Sequence, residues 1–501
     1  MADKEFMAAT GIWGLDDILT GGLSTGHVFL LEGSPGTGKT TIALSFLMEG
    51  ARQGEECLYI TLSETENELR TVAASHGWTI DKKVHVFELA PPAAALGSDH
   101  EQTLLYSSDL ELGEASKSIL EVFERTKPVR VVLDSLSEIR LLAQSSLRYR
   151  RQILAFKQYF SQHSATVLLL DDLTAEASDK TSHSIVHGVI QLEELSPNYG
   201  AERRRVRITK YRGQKFRGGY HDLTIERGGV VIFPRLRALE HRTKFDRSRA
   251  TSGIAELDAL LGGGVEQGSS TLILGPAGTG KTLIALQFVV AAIKRGEKAA
   301  FFAFDEELGM LFNRTKQMGF DLEALKDAGA LLIEQVDAAE LSPGEFAHRV
   351  RAAVDQSNAK TVVIDSLNGY QAAMPDENSL ILHIHEILQY LNRQGANTFL
   401  TIAQHGVVGD NLRAPIDLTY LSDTVVLLRY FEAHSKIRRA ISVIKKRGGS
   451  HEETIREYRI GISGLTIGPP LEEFQGVLQG VPTFLSNRGP LISSKGDMAN
   501  S

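Results

Sequence analysis

Two short stretches of this 501-residue chain have the residue types and spacing that cradle phosphate. The first runs Gly33, Ser34, Pro35, Gly36, Thr37, Gly38, Lys39, Thr40, Thr41, and the second Gly275, Pro276, Ala277, Gly278, Thr279, Gly280, Lys281, Thr282, Leu283. Both satisfy G-x-x-x-x-G-K-[ST], each directly after an apolar run and at the head of a helical pattern, which is the setting the motif requires. Glycines let the backbone turn tightly enough for successive N–H groups to converge on phosphate oxygens, beside the positive end of a helix. Lys39 and Lys281 are then placed for the β and γ phosphates. The hydroxyls of Thr40 and Thr282 are placed for magnesium.

The chemistry needs acids as well. VVLDS with Asp134 and VVIDS with Asp365 put a carboxylate at the end of an apolar strand, where ligands bind in open α/β sheets and where an acid reaches a metal through water. Taken singly, either aspartate also reads as the cap of the next turn. A hydrolase further needs a group that orients or deprotonates the nucleophile. The strand after each P-loop ends in acids: TLSET with Glu64, and AFDEE with Asp305, Glu306 and Glu307. Glu64 and Glu306 each lie 25 positions beyond the P-loop lysine, which singles them out. The bland alternative is a solvated acid at a helix N-terminus. Ser63 stands where the second half has Asp305, so only the second half offers a carboxylate pair.

These residues must be positioned by a repeated scaffold. TGIWGLDDILTGGLSTGHVFLLEG, from Thr10, runs without a gap against SGIAELDALLGGGVEQGSSTLILG, from Ser252, matching Gly11 to Gly253, Asp16 to Asp258 and Gly26 to Gly268. An offset of 242 positions is too long for a solenoid and indicates a duplicated domain. Each half alternates apolar strands with amphipathic helices, predicting an α/β fold with a mainly parallel sheet flanked by helices. The strands are VFLLE, CLYITL, VRVVLD and TVLLLDD, then TLILG, AAFFAF, TVVID and NTFLTIA, and each half closes on a β-rich, turn-rich stretch. The expected domains are 1–240, 241–470 and a tail at 471–501. The basic run 235–252 between them reads as a solvated linker, with nucleic-acid contact as the functional alternative.

The P-loop, the acid-ended second strand and the VV[LI]DS strand resemble the RecA-like superfamily. Their tandem repetition behind GI-x-x-LD-x-L-x-GG-[LV] resembles the KaiC family, the tandem ATPase and autokinase best known from the cyanobacterial circadian clock. That resemblance covers about residues 10–470. It implies ATP and Mg2+ as cofactors and a homohexameric ring of two tiers with ATP bound between neighbouring subunits, a heterologous contact that closes on itself. It also implies that Lys210 and Arg212 in ITKYRG, and Lys445 and Arg447 in VIKKRG, reach the neighbour's nucleotide, where cations supplied in trans neutralise charge on the γ phosphate. Read without the family, the same residues are the exposed face of an edge strand. The family's second domain phosphorylates hydroxyls just ahead of a strand that here reads LSDTVVLLRY, from Leu421, which points to Thr419 and Tyr420 as acceptors and to Asp305 with Glu306 as base. Tyr420 departs from the Ser-Thr pair of the clock protein, and a plain turn reading of both residues stands beside the acceptor one. The first half lacks the signature and is expected to be an ATPase only.

Composition narrows the class further. With 42% apolar and 23% charged residues and a net charge of −8, the chain is globular and has no global attraction to nucleic acid. Cys57 is the lone cysteine, so no intramolecular disulfide or cysteine zinc cluster forms, and a cytoplasmic location without a membrane span is expected. Two rivals stay open. A DNA-handling motor would use the basic concentration Arg203, Arg204, Arg205, Arg207, Lys210, Arg212, Lys215 and Arg217, and would show DNA-stimulated, salt-sensitive hydrolysis. A slow scaffold would hold ATP while partners, whose identity the sequence leaves open, read its state.

Overall fold

The computed structural model describes residues 7–89, 108–173, 181–196, 200–374, 376–406, 414, 417–433, 435–461, 464–479 and 483–484. The chain divides into two compact units, Met1–Arg235 and Leu236–Ser501.

In the first unit the strands are β1 (Val28–Gly33), β2 (Cys57–Thr61), β3 (Val84–Glu88), β4 (Arg130–Asp134), β5 (Thr166–Asp172), β6 (Gly188–Leu195), β7 (Arg203–Tyr211), β8 (His221–Glu226) and β9 (Gly229–Phe233). They form one nine-stranded sheet in the order β3-β2-β4-β5-β1-β6-β7-β8-β9. The strands from β3 to β6 are parallel, and those from β6 to β9 form an antiparallel meander. The second unit repeats this with β10 (Ser270–Gly275), β11 (Lys298–Ala303), β12 (Leu331–Gln335), β13 (Ala359–Asp365), β14 (Asn397–Ala403), β15 (Thr424–Ala433), β16 (Lys436–Lys446), β17 (Arg456–Gly461) and β18 (Gly464–Pro470), in the order β12-β11-β13-β14-β10-β15-β16-β17-β18. Strand for strand, the two orders are the same. Each unit is therefore a RecA-like α/β domain, and the duplication read in the sequence is a duplication of topology.

The continuous apolar runs follow from burial on both sheet faces. Along β1, Val28 and Leu30 enter one core cluster with Phe123, Phe156 and Phe160, while Phe29 and Leu31 enter the other with Ala43 and Leu47 of the P-loop helix Lys39–Arg52. Successive side chains of a strand point to opposite faces, so one strand feeds both clusters. The second unit has the same two-faced core. Most of residues 235–252 are exposed, and the stretch is anchored at a few points: Leu236 and Ala238 are buried in the second unit's core, and the Phe245 ring lies where a Cβ on Gly268 would stand. In the expected tail, Val477 is buried against Phe431, while residues 485–501 lie outside the described residues. Among the described residues no helix is long and apolar enough to cross a membrane.

Candidate nucleotide sites

Both P-loops are shaped by their glycines. Gly38 and Gly280, at φ 98° and 94°, are the left-handed N-caps of the helices Lys39–Arg52 and Lys281–Lys294, and neither helix has a side-chain cap. A side chain at either position would be strained, and at Gly38 its Cβ would lie 3.0 Å from Ile225 Cδ1. Among the described residues no side chain caps the first-turn N–H groups, the arrangement that binds phosphate. Buried Thr37 and Thr279 pin the loops by donating to Ser34 O at 2.7 Å and Pro276 O at 2.8 Å. Thr41 points away toward His76 Nε2 at 3.2 Å, and Leu283 is buried, so neither side chain faces the cup.

The two lysines, both nearly buried, differ in their partners. Lys39 Nζ donates to Gly33 O at 2.9 Å and Ser34 O at 3.0 Å, and pairs with Asp172 at 2.7 Å. Lys281 Nζ donates to Pro276 O at 2.9 Å. Burial pulls the Lys281 ammonium below its usual range, against the support of Asp365 and Asp305.

The strand-end aspartates sit beside the P-loop threonines. In the first half, Tyr59 Oη donates to Asp134 Oδ2 at 2.6 Å and is itself hydrogen-bonded to Thr40, linking all three. In the second, Asp365 is bonded directly to Thr282 and accepts from Thr401. Burial raises the proton affinity of both aspartates. In both halves the peptide bond after this aspartate is cis. A hydroxyl and a carboxylate at one strand end form an oxygen-only donor set, which suits Mg2+, an ion that keeps several waters and takes few protein ligands. Among the described residues no group of three or more His, Cys, Asp and Glu could hold a metal. His383 and His385 in particular diverge, His383 half-buried against the Tyr370 ring and His385 exposed.

The acids after β2 and β11 have distinct environments. Glu64 is half-buried, its backbone clasped by Thr61 Oγ1, and its Oε2 is buried without a hydrogen-bond partner. Burial, then Asp134, Glu68 and Asp172, push its carboxyl above the usual range. Glu306 is raised too, mainly by burial, although Arg314 at 2.8 Å opposes the shift. Asp305 accepts from Ser366 Oγ, so the second half's two acids have separate partners. Glu307 caps the helix Leu308–Gln317 through Gly309 N and Met310 N, both at 2.8 Å.

The late basic motifs hold the segment ahead of the sixth strand of each half. Lys445 Nζ donates to Thr419 O at 2.7 Å and Ser422 O at 2.8 Å, and Arg447 reaches Tyr420 O and Asp423. In the first half Lys210 reaches His183 O and Val186 O, and Arg212 reaches Ser184 O at 2.8 Å. His183-Ser184 therefore stand where the second half has Thr419-Tyr420. Thr419 N and Oγ1 both donate to Asp417 Oδ1, at 3.0 and 2.6 Å, while Tyr420 is exposed. The basic concentration of the first half is largely paired within the fold: Arg204 with Glu194 and Glu202, Arg205 with Glu193 and stacked on Tyr220, and Arg217 with Asp17. That leaves little of it to track a nucleic-acid backbone.

The sequence reading passed over Tyr59, Asp172, Ser366, Thr401 and Asp417. Asp172 was visible as the last residue of TVLLLDD, and an in-register comparison with NTFLTIA, which ends in Ala403, would have singled it out. Asp417 is a local partner two residues before Thr419, and the other three declare themselves only once the strands are aligned in space.

A RecA-like sheet repeated in one chain, each copy ending its first strand in a P-loop and its fourth in an aspartate beside the P-loop threonine, defines a tandem P-loop ATPase. The model of the KaiC ATPase family matches residues 8–237 and again 250–472, and the chain belongs to that family. As a member it is an ATP-binding ATPase. It is 28% identical over 483 residues to the circadian clock protein KaiC3 of Synechocystis sp., covering 95% of this chain and 94% of that one. It is likewise 28% identical over 483 residues to the circadian clock oscillator protein KaiC of Thermosynechococcus vestitus, covering 95% and 92%.

Proposed function

We propose that both halves bind ATP with Mg2+, that the chain assembles as a hexameric ring acting as a clock-type regulator in the cytoplasm, and that the second half also carries out self-phosphorylation within that ring. The observation that carries this is the repeated set of P-loop lysine, threonine and strand-end aspartate. Family membership and the names of the clock-protein relatives support it.

In this reading the P-loop N–H groups and Lys39 or Lys281 bind the phosphates, and Thr40 with Asp134, or Thr282 with Asp365, hold Mg2+, which when bound neutralises charge on the β and γ phosphates. Glu64 in the first half and Glu306 in the second take the proton of the attacking water. For self-phosphorylation within the ring, Thr419 Oγ1, which lies at the sheet end opposite its own P-loop, attacks the γ phosphorus of the ATP held by the neighbouring subunit, the bond to the β–γ bridging oxygen breaks, ADP leaves, and the hydroxyl proton passes to that subunit's Glu306 assisted by its Asp305. Tyr420 is the second acceptor. Lys210 with Arg212, and Lys445 with Arg447, neutralise charge on the γ phosphate held by a neighbouring subunit, while the hold of Lys445 and Arg447 on backbone carbonyls fixes the segment that carries the acceptors.

Mass spectrometry after incubation with ATP and Mg2+ tests the transfer. Phosphate is expected on Thr419, lost in Thr419→Ala and strongly reduced in Glu306→Gln. A protein that gains no phosphate, or gains it only outside 419–420, overturns the autokinase reading.

A further inference from the structure

The first half contains a charge pair that the second cannot form. Lys39 offers three protons, and all three are taken: by Gly33 O, Ser34 O and the Asp172 carboxylate. Asp172 ends β5 directly opposite Gly33, the first P-loop residue, in the parallel ladder. In the second half the register is the same, but Ala403 stands opposite Gly275. No carboxylate can reach Lys281 from that position, and among the described residues Lys281 is in no ion pair. The lysine side chain is 9% exposed and the aspartate side chain 32%, so the pair is only partly shielded from solvent on the side of the acid.

We propose that Asp172 is an internal counter-ion that takes the place of a phosphate oxygen on Lys39, so that the first half admits a nucleoside triphosphate only by breaking this pair and depends on the divalent cation more strongly than the second half does. Binding a phosphate oxygen to Lys39 strips Asp172 of its cation and leaves it beside the new negative charge. Asp134 and Glu64 already sense Asp172, so the released acid joins two other carboxylates around the triphosphate. A divalent cation relieves that crowding. The second half, with Ala403, releases no such acid.

This inference rests on the reading that the first P-loop binds ATP. Calorimetric titration of the full chain carrying Lys281→Ala, with ATP in the presence of Mg2+ or of a chelator, isolates the first cup. Adding Asp172→Asn, checked by Asp172→Ala, is expected to tighten ATP binding by about twofold to fivefold, the scale of a part-exposed ion pair, and to narrow the difference between the two conditions. General damage to the site would weaken binding instead, so the sign is diagnostic. The reciprocal change Ala403→Asp in a Lys39→Ala chain is expected to weaken ATP binding, most of all with the chelator. If the Lys281→Ala parent binds ATP but Asp172→Asn leaves affinity unchanged or lower, the counter-ion is overturned alone. A parent that binds no ATP overturns the nucleotide reading and this inference with it.

Discussion

Glu64 and Glu306, the bases proposed above, occupy matching positions in different surroundings. Glu64 has a buried oxygen with no partner and carboxylates nearby, whereas Glu306 is tied to Arg314. Replacing either by Gln keeps the shape and removes the base, so ATP turnover in that half should fall about 10²- to 10⁴-fold while nucleotide affinity persists. Burial holds both carboxyls above the ordinary glutamate range. A base must be unprotonated to act, so activity is present above the raised pKa and is lost as pH falls through it, and the acid limb of each pH–rate profile should lie above the ordinary glutamate range. Arg314→Ala removes the group that opposes the shift at Glu306 and should move the second half's limb further up, with the first half's unchanged. Steady-state ATPase assays on Glu64→Gln and Glu306→Gln backgrounds separate the two limbs. A limb within the ordinary glutamate range in both halves would remove these glutamates from the role.

At the scale of elements, the first half is tied together by a buried cation. Arg130, fully buried at the start of β4, pairs with Glu55, donates to Ala9 O and to Phe46 O at 2.9 Å, and lies over the Phe46 ring. It joins the N-terminal segment, the P-loop helix and the sheet. Arg130→Ala strands those acceptors and should cost about 3–5 kcal/mol, the range for breaking a buried pair. Trp13 and Trp78 are the chain's only tryptophans and both lie in the first unit, so fluorescence-monitored urea unfolding reads that unit alone. An unchanged midpoint would show that Arg130 does not anchor it. No periodicity announces such a tie, and the same limit governs the rest of the reading. The eight apolar runs around the P-loops were legible because burial on both faces writes them as continuous apolar sequence. Edge strands β3 and β12, VHVFE and LLIEQ, were not, because they are half-exposed and mix polar residues into short runs. The P-loops were legible because the tight turn demands glycine at fixed spacing, and Asp134 and Asp365 because an acid closing an apolar strand stands out in its motif. Tyr59, Thr401 and Asp172 owe their roles to strand order, which brings together segments far apart in the chain.

At the scale of the whole molecule, the decisive question is whether each site is completed by a second subunit. Two intact cups predict two ATP bound per chain, one in Lys39→Ala, one in Lys281→Ala and none in the double variant, measured by equilibrium binding of labelled ATP. Whether Lys445 and Arg447 act on a neighbour's nucleotide needs a different experiment, because within one chain they already hold Thr419 O and Tyr420 O. Silencing first-half turnover with Glu64→Gln keeps that cup able to bind, so the remaining ATPase activity belongs to the second half. In that background Lys281→Ala and Arg447→Ala should each be inactive. Mixed before assembly at equal amounts, the two should recover activity. An interface works when an Arg447→Ala chain supplies the cup and a Lys281→Ala chain supplies the cation, which random mixing around a closed heterologous ring gives in about one interface in four. If the cations act only within their own chain, every subunit in the mixture keeps one defect. Mixing then recovers nothing, and Arg447 is left as a structural clasp on the acceptor segment.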